Sequence, residues 1–520
     1  MRKLTIAAAL LCFCAFPIAS AAELEEIIVT ATKRETSLMD ISTAVTAFDA
    51  DKLEALNIDN AQDLVARTPS LTMTGTPSKI SIRGVGRPHN ALGTDPGVAT
   101  YTDGVYSTES GNFEYTNFFD IERVEILRGP QGTLYGRNAV GGAINLVTMG
   151  PTPDWHVKVV AEVGNYDYRV LQGLLRGPVS DDLSIAVAAS TIRRDGYQKD
   201  VNSGRDLDDR GTDYLRATFR YIWNDNWSTR IQASRVDLDR TPSNGYRTLP
   251  FDTDYVQVVS DVDSGAPLNL PGVFPGNNFI NYYQDYPDEN AGFKDESKTQ
   301  TDVSPRESTE VNSIYMLNEV LFSGYRLRYL ASYFEYEYDK LVDSDGIVAA
   351  RSNLNWDNLY IGGVSVSQLT GISRTPPMVT EITAQEADFT SHDLQLYSEF
   401  AGRLNFVAGL YYYRGDEDQL YAVHEANDEL MAVYTFLGSL VGRNTSTENW
   451  LYRGESTLET TSWASYGQLE WDWTDKLRLT AGLRYSRDNK DGGDNTFVQW
   501  VGDGFIDRAS EDDWDSVDWR

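Results

Sequence analysis

From Trp155 onward the chain repeats one pattern, in which short period-two segments are joined alternately by tight turns and by long polar excursions. In the first segment Trp155, Val157, Val159, Ala161 and Val163 point one way while His156, Lys158 and Glu162 point the other. Such alternation gives a strand one apolar and one polar face, whether the apolar face meets a protein core or lipid. The connections separate these cases. Leu183, Ile185, Val187, Ala189 and Thr191 form one apolar row, reached through the short turn Gly177 to Asp182. Leu215, Ala217, Phe219, Tyr221 and Trp223 form another, followed by the turn Asn224 to Asn226. Further strand pairs flank Phe322 to Gly324, Ala401 to Arg403 and Thr474 to Lys476, whereas Arg193 to Asp213, Asp237 to Glu310, Asp339 to Thr390 and Arg414 to Thr461 read as polar loops. Connections in soluble domains usually run about 2–6 residues. Tight turns on one side and long loops on the other predict a transmembrane antiparallel β-barrel, with an apolar face toward lipid and a polar face toward the lumen.

Composition agrees. Thirty Tyr, 19 Phe and 11 Trp beside 41 Gly and 18 Pro favour strands and turns. Trp155, Trp223, Trp227, Trp471 and Trp473, near strand ends, suit an interfacial girdle. Beyond the first twenty residues no apolar run approaches the roughly 20 residues a membrane helix needs, so a helical membrane protein is excluded. The formal charge of -32 argues against a nucleic-acid partner, which requires a basic face. At the N-terminus Arg2 and Lys3, the apolar stretch Leu4 to Ile18 and Ala19-Ser20-Ala21-Ala22 have the order of a secretory signal peptide, residues 1–21. Cys12 and Cys14 both lie in this leader, so the mature chain has neither disulfides nor thiolate metal sites. Eleven strands are legible, with a twelfth expected to begin at Asp515. An open barrel would leave unpaired backbone groups in lipid and bacterial single-chain barrels close on even strand numbers, so the sequence is expected to be part of a longer protein.

Residues 22–150 follow a different grammar, that of a compact α/β unit. A helix is expected over Ala50 to Leu64, with Leu53, Leu56, Ala61 and Leu64 on its apolar stripe. Short strands are expected at Lys79 to Arg83, Val98 to Asp103 and Arg123 to Leu127, each bounded by Gly or Pro.

A leading segment and the plug motifs carry a resemblance. Glu25-Glu26-Ile27-Ile28-Val29-Thr30-Ala31 is an acidic lead followed by an extended β-branched run, able to add as a strand to a partner's sheet edge. It resembles the TonB box of TonB-dependent outer-membrane receptors. Ile121-Glu122-Arg123-Val124-Glu125-Ile126-Leu127-Arg128-Gly129-Pro130, continuing through Gly132, Leu134, Tyr135-Gly136, Ala139, Gly141-Gly142 and Ala143-Ile144-Asn145 to Val147-Thr148, resembles the signature that closes the plug domain of those receptors. Ile82-Arg83-Gly84 matches the plug's earlier motif. The resemblance implies a mainly β fold with an N-terminal α/β plug domain (36–150) inside a transmembrane antiparallel β-barrel. A box segment (22–35) leads in, and residues 151–520 supply about half of a 22-stranded barrel.

The resemblance further implies energy-coupled import of a scarce ligand, with periplasmic TonB pulling on the box. Ferric siderophores are the commonest cargo of the family, beside cobalamin, haem and glycans. Family arginines in these motifs pair with barrel glutamates, which assigns a plug latch to Arg83 and Arg128 with Glu125, and Glu470 as one candidate acceptor. The outward plug surface is expected within Gly86 to Gly97 and Tyr106 to Asn117. There Arg87, His89, Asn90, Tyr106 and Tyr115 offer hydrogen-bonding heads and aromatic surface to a ligand. No cofactor and no enzymatic activity are expected. The stretch Gly136 to Gly141 is followed by Gly142-Ala143 rather than Lys and Ser/Thr, so it is no phosphate loop. Asp206, Asp208 and Gly211 open like a calcium loop, but Ala217 stands where its twelfth residue, Glu, is needed. His89, His156, His392 and His424 have no metal-ligand spacing. A passive porin or adhesion barrel would explain the strands but leave both motifs without a purpose. An exported β-sandwich hydrolase would need a nucleophile and base that the sequence does not bring together.

Overall fold

The structure is a computed structural model. It describes residues 28–498 and 506–519 apart from 31–32, 35, 38, 40, 75–78, 88–91, 93, 108–112, 114–117, 202, 244–297, 300, 302, 344–353, 357–359, 362, 376–377 and 441–447. The leader and Glu25, Glu26, Ile27, Ala31, His89, Asn90 and Tyr115 therefore lie outside the described residues.

The plug is built on a five-stranded mixed sheet. Its order is Val45–Asp49, Ile121–Arg128, Gly142–Thr148, Val98–Thr102 and Val105–Ser107, with Gly142–Thr148 parallel to Val98–Thr102 and the other pairs antiparallel. Leu71–Thr74, Lys79–Ile82 and Val85–Gly86 form a second small sheet. The helix expected over 50–64 is two helices, Ala50–Ala55 and Ala61–Arg67. Asn57 takes a positive φ of 49° and ends the first, and the Asn60 side chain accepts from the backbone of Gln62 and Asp63 to start the second. Apolar spacing runs through this break, which is why periodicity alone fused them. Phe48, Leu53, Leu64, Ile82, Val124, Ile126 and Ile144 fill the plug's own core. Gly142, in the signature stretch, has a φ of 155°, and a Cβ there would stand 2.2 Å from the Leu127 carbonyl oxygen, so the sheet closes around this position only with glycine.

A curved sheet of twelve antiparallel strands wraps the plug, in unbroken chain order. Its strands are His156–Val163, Arg169–Pro178, Leu183–Arg194, Arg210–Asn224, Trp227–Arg240, Arg306–Phe322, Tyr325–Asp343, Val379–Ser398, Leu404–Glu425, Trp450–Thr474, Leu477–Val498 and Ile506–Trp519. The outward rows are the predicted ones: Leu215, Phe219, Tyr221 and Trp223 are exposed while Tyr214, Arg216 and Thr218 between them are buried. Tight turns lie at one end. Ser323 and Gly324 have φ of 42° and 80°, the doubly positive geometry of a two-residue hairpin whose twist matches its strands. At this end Trp223 stacks on Trp227 at 5.0 Å and Trp471 on Trp473 at 5.1 Å, as an interfacial girdle requires. No helix among the described residues is long and apolar enough to cross a membrane.

At the other end the strands are longer than expected. Residues 379–390, 414–425 and 450–461, read as loop, continue the ladder. Their outward faces carry charges such as Glu386, Asp388, Asp416 and Glu459 instead of apolar residues, with Arg414 pairing to Asp416 and Glu459 at 3.1 and 3.4 Å. Above the lipid both faces are polar, so the alternation fades although backbone pairing does not. The last strand likewise begins at Ile506 rather than at Asp515. Between strands, helices Val366–Thr370 and Asp428–Leu440 join two loops through Trp356, Val366, Leu430 and Val433.

Candidate functional site

The described end of the box segment is docked rather than free. Ile28–Val29 pairs with Thr36–Ser37 as a small hairpin, leaving Ile28 42% exposed and Val29 fully buried. The Thr30 backbone N–H and hydroxyl donate to Glu125 at 2.8 and 3.0 Å, and Asn145 donates to the Thr30 hydroxyl at 3.2 Å. Beyond the hairpin tip the segment grips the wall. Lys33 reaches Asp393 at 2.9 Å and the Tyr466 hydroxyl at 3.0 Å, while Arg34 donates to the Phe406 carbonyl at 2.5 Å and lies 3.9 Å from Glu470. Burial pulls the Lys33 ammonium below its ordinary value, against the opposing pull of Asp393.

The expected latch is redistributed. Glu470 faces Arg34, not Arg83 or Arg128. Glu125, fully buried, binds Thr30, Asn145 and Arg123, all outside the wall. Arg83 sits exposed at a φ of 54° with its guanidinium beside Gly129, and among the described residues neither it nor Arg128 has an ion-pair partner. The close plug-to-wall contacts on the opposite flank have the reverse polarity, carboxylates from the plug and arginines from the wall. Asp120 pairs with Arg216 at 2.6 Å, both buried, and accepts from the Tyr214 hydroxyl at 3.0 Å. Asp103 accepts from Thr148 and, at 2.6 Å, from the wall's Tyr315, with Arg230 at 4.0 Å. Sequence reasoning passed over these residues. The available signal was an arginine in the middle of a membrane strand, at an inward position flanked by the outward Leu215 and Ala217, where an ionisable group implies a buried partner.

Burial alone would raise the Asp103 carboxyl, but Arg230 with the donors Thr148 and Tyr315 outweighs it and holds the group below the ordinary carboxylate value. A carboxyl depressed by folding contributes stability that is complete above the unfolded value, about 4, and is lost as pH falls through the folded value. Hydrogen exchange in Val98–Ser107 should therefore accelerate as pH drops below about 4, after correction for intrinsic rates, and Asp103→Asn should flatten that response. An unchanged pH profile in the variant would remove Asp103 from the account.

Toward the long-loop end a cleft opens between plug and wall, bounded by Arg87, Thr94 and Asp95 of the plug and by Tyr413, Glu417 and Lys490 of the wall. Arg87 is buried and donates to Thr94 at 3.0 Å. Asp95 bridges Arg137 at 2.8 Å and Lys490 at 3.0 Å. Burial would raise its carboxyl, but these two cations hold it below the ordinary value. Tyr106 is not on the outward surface. It is buried, accepts from Asn138 at 2.5 Å and packs edge-on to Tyr413 at 6.0 Å, because the alternation of Val105–Ser107 turns its ring into the plug–wall core. Among the described residues no group of His, Cys, Asp and Glu is placed to hold a metal ion.

Comparison with known proteins agrees with this geometry. Residues 37–143 match the TonB-dependent Receptor Plug Domain family. An iron-regulated outer membrane virulence protein of Vibrio cholerae is 25% identical over 232 residues, 42% of this chain and 35% of that protein. The pesticin receptor of Yersinia pestis is 34% identical over 131 residues, 25% of this chain and 17% of its own length. Among solved structures, the ferric yersiniabactin uptake receptor from Yersinia pestis superposes with a TM-score of 0.63 at 19% identity, covering 92% of this chain and 61% of that one. The ferric-catecholate import receptor of E. coli gives 0.61 at 14% identity, with 93% and 67% covered. The chain thus spans about a third or less of the length of these two curated relatives and about three fifths to two thirds of those structures.

Proposed function

We infer that this chain, which carries the plug domain and the barrel fold of TonB-dependent outer-membrane receptors, imports a scarce ligand with energy delivered from the periplasmic side, and that a ferric siderophore is its cargo. The observation carrying this reading is the docked segment Ile28–Ser37, a β-branched strand held by side-chain contacts at the tight-turn end of the wall. A segment so held can be withdrawn by a partner that pairs with its backbone, and its attachments to Glu125 and to the wall would carry the pull inward. In this reading residues 1–21 are the leader, 22–35 the coupling segment with Glu25 to Ala31 as the TonB grip, 36–150 the plug and 151–520 the wall. The ligand settles on the long-loop side, where Arg87 borders the cleft, and His89, Asn90 and Tyr115, which lie outside the described residues, are carried as ligand candidates by the sequence.

Names of relatives point the same way. They include an iron-regulated protein, a hemin receptor and a vitamin B12 transporter, so iron leads and the other cargoes remain within the same architecture. Proline at Ile28 or at Val29 removes a main-chain donor from the strand. Each variant should abolish energised uptake while leaving ligand binding at the cell surface within about twofold. Normal growth of both variants on a ferric siderophore as sole iron source would refute the coupling role.

A further inference from the structure

Six adjacent wall strands place Thr309, Tyr338, Gln385, Gln419, Ser456 and Asp494 opposite one another in register, one inward side chain per strand on a single latitude of the barrel. The row lies one inward step beyond Glu417 and Leu458, which border the plug–wall cleft, on its long-loop side. Gln385 is 1% exposed, yet neither its amide nitrogen nor its amide oxygen has a hydrogen-bond partner among the described residues. The Thr309 hydroxyl and the Gln419 amide nitrogen are unpartnered as well. A buried primary amide without partners costs on the order of 1–3 kcal/mol, so a row of such groups is worth keeping only where something else completes it. Aromatic faces accompany the row: its own Tyr338 stacks with Tyr336 at 6.4 Å, and further toward the tight-turn end Phe389 stacks on Tyr413 at 6.3 Å.

Charge narrows the chemistry. Among the described residues around the cleft, the row and the next latitude outward, five cations, Arg87, Arg137, Arg240, Lys340 and Lys490, stand among five carboxylates, Asp95, Glu307, Glu417, Asp488 and Asp494. Arg137 and Lys490 are already committed to Asp95. A multiply charged anion would meet a lining with no net positive charge in a chain of formal charge -32, with Arg137 and Lys490 held by Asp95 and Arg240 held by Glu307. A neutral ligand rich in amide and hydroxyl groups would meet the complements it needs, and aromatic faces beside them.

We propose that the cargo is an uncharged iron chelate, held by the amide and hydroxyl groups of this row with Gln385 as its principal anchor. This rests on the import reading and deepens it. Ferric ion bound by three hydroxamates has no net charge, whereas bound by three catecholates it carries three negative charges, so two chelates of similar size separate the possibilities. Cells producing the receptor, held without energy so that only binding is read, should take up radiolabelled neutral ferric trihydroxamate at least about tenfold more tightly than ferric tris-catecholate. Gln385→Leu should weaken the trihydroxamate about tenfold or more, the loss of one or two hydrogen bonds, while the purified variant unfolds no more easily than the parent because an unsatisfied amide has been removed. Equal or tighter binding of the tris-catecholate overturns the proposal and leaves iron import standing. Unchanged trihydroxamate binding in Gln385→Leu overturns the anchor. Binding of neither chelate overturns both this proposal and the siderophore reading.

Discussion

Arg216→Ala should loosen the plug by about 3–5 kcal/mol, the largest single effect expected in this molecule. Arg216 and Asp120 are both buried, 2.6 Å apart, and the guanidinium also donates to the Asp120 carbonyl at 3.0 Å. Removing the arginine leaves a carboxylate desolvated without its counter-charge, a cost the remaining Tyr214 hydroxyl cannot offset. Hydrogen exchange over Phe118–Arg128 reads the effect directly. The double variant Asp120→Asn/Arg216→Met should cost less than Arg216→Ala alone, since no unpaired charge is left behind. If exchange in Arg216→Ala stays within about 0.5 kcal/mol of the parent, this pair does not hold the plug to the wall.

Glu125→Ala should undock the coupling segment. Its carboxylate accepts from the Thr30 backbone and hydroxyl, from Asn145 and from Arg123, and hydrogen bonds to a charged group contribute about 1.5–3 kcal/mol each. A loss of about 3 kcal/mol in docking raises the open population roughly a hundredfold. Lys33 and Arg34, now held against Asp393, Phe406 and Glu470, then become accessible, so trypsin should cut after them correspondingly faster. Glu125→Gln, which keeps an acceptor oxygen, should fall between. Cutting at the parental rate in Glu125→Ala would mean that Lys33 and Arg34 alone keep the segment in place.

Local rules made much of the architecture legible. The outward row from Leu215 to Trp223 follows from period two, and the turn at Ser323-Gly324 from the shortness of the link. The plug strands Val98–Thr102 and Ile121–Arg128 were readable from apolar runs bounded by Gly or Pro. Misreadings have local causes too. The break at Asn57 hides within continuous apolar spacing, and strands such as Leu404–Glu425 outrun their alternation once both faces meet water.

The sequence by itself determined that strands would alternate lipid-facing and lumen-facing residues, that a glycine-marked α/β unit would precede them, and that an extended β-branched segment would lead both. Those properties depend on neighbours a few positions apart. Only the tertiary structure decided which inward groups meet. Asp120 and Arg216 are 96 positions apart, and Lys33 and Asp393 are 360 apart. A strand's pattern fixes the face on which a charge stands, but the partner across the lumen depends on how the plug is seated in the curved wall. The reversed polarity of the Asp120 and Asp103 contacts and the burial of Tyr106 follow from that seating.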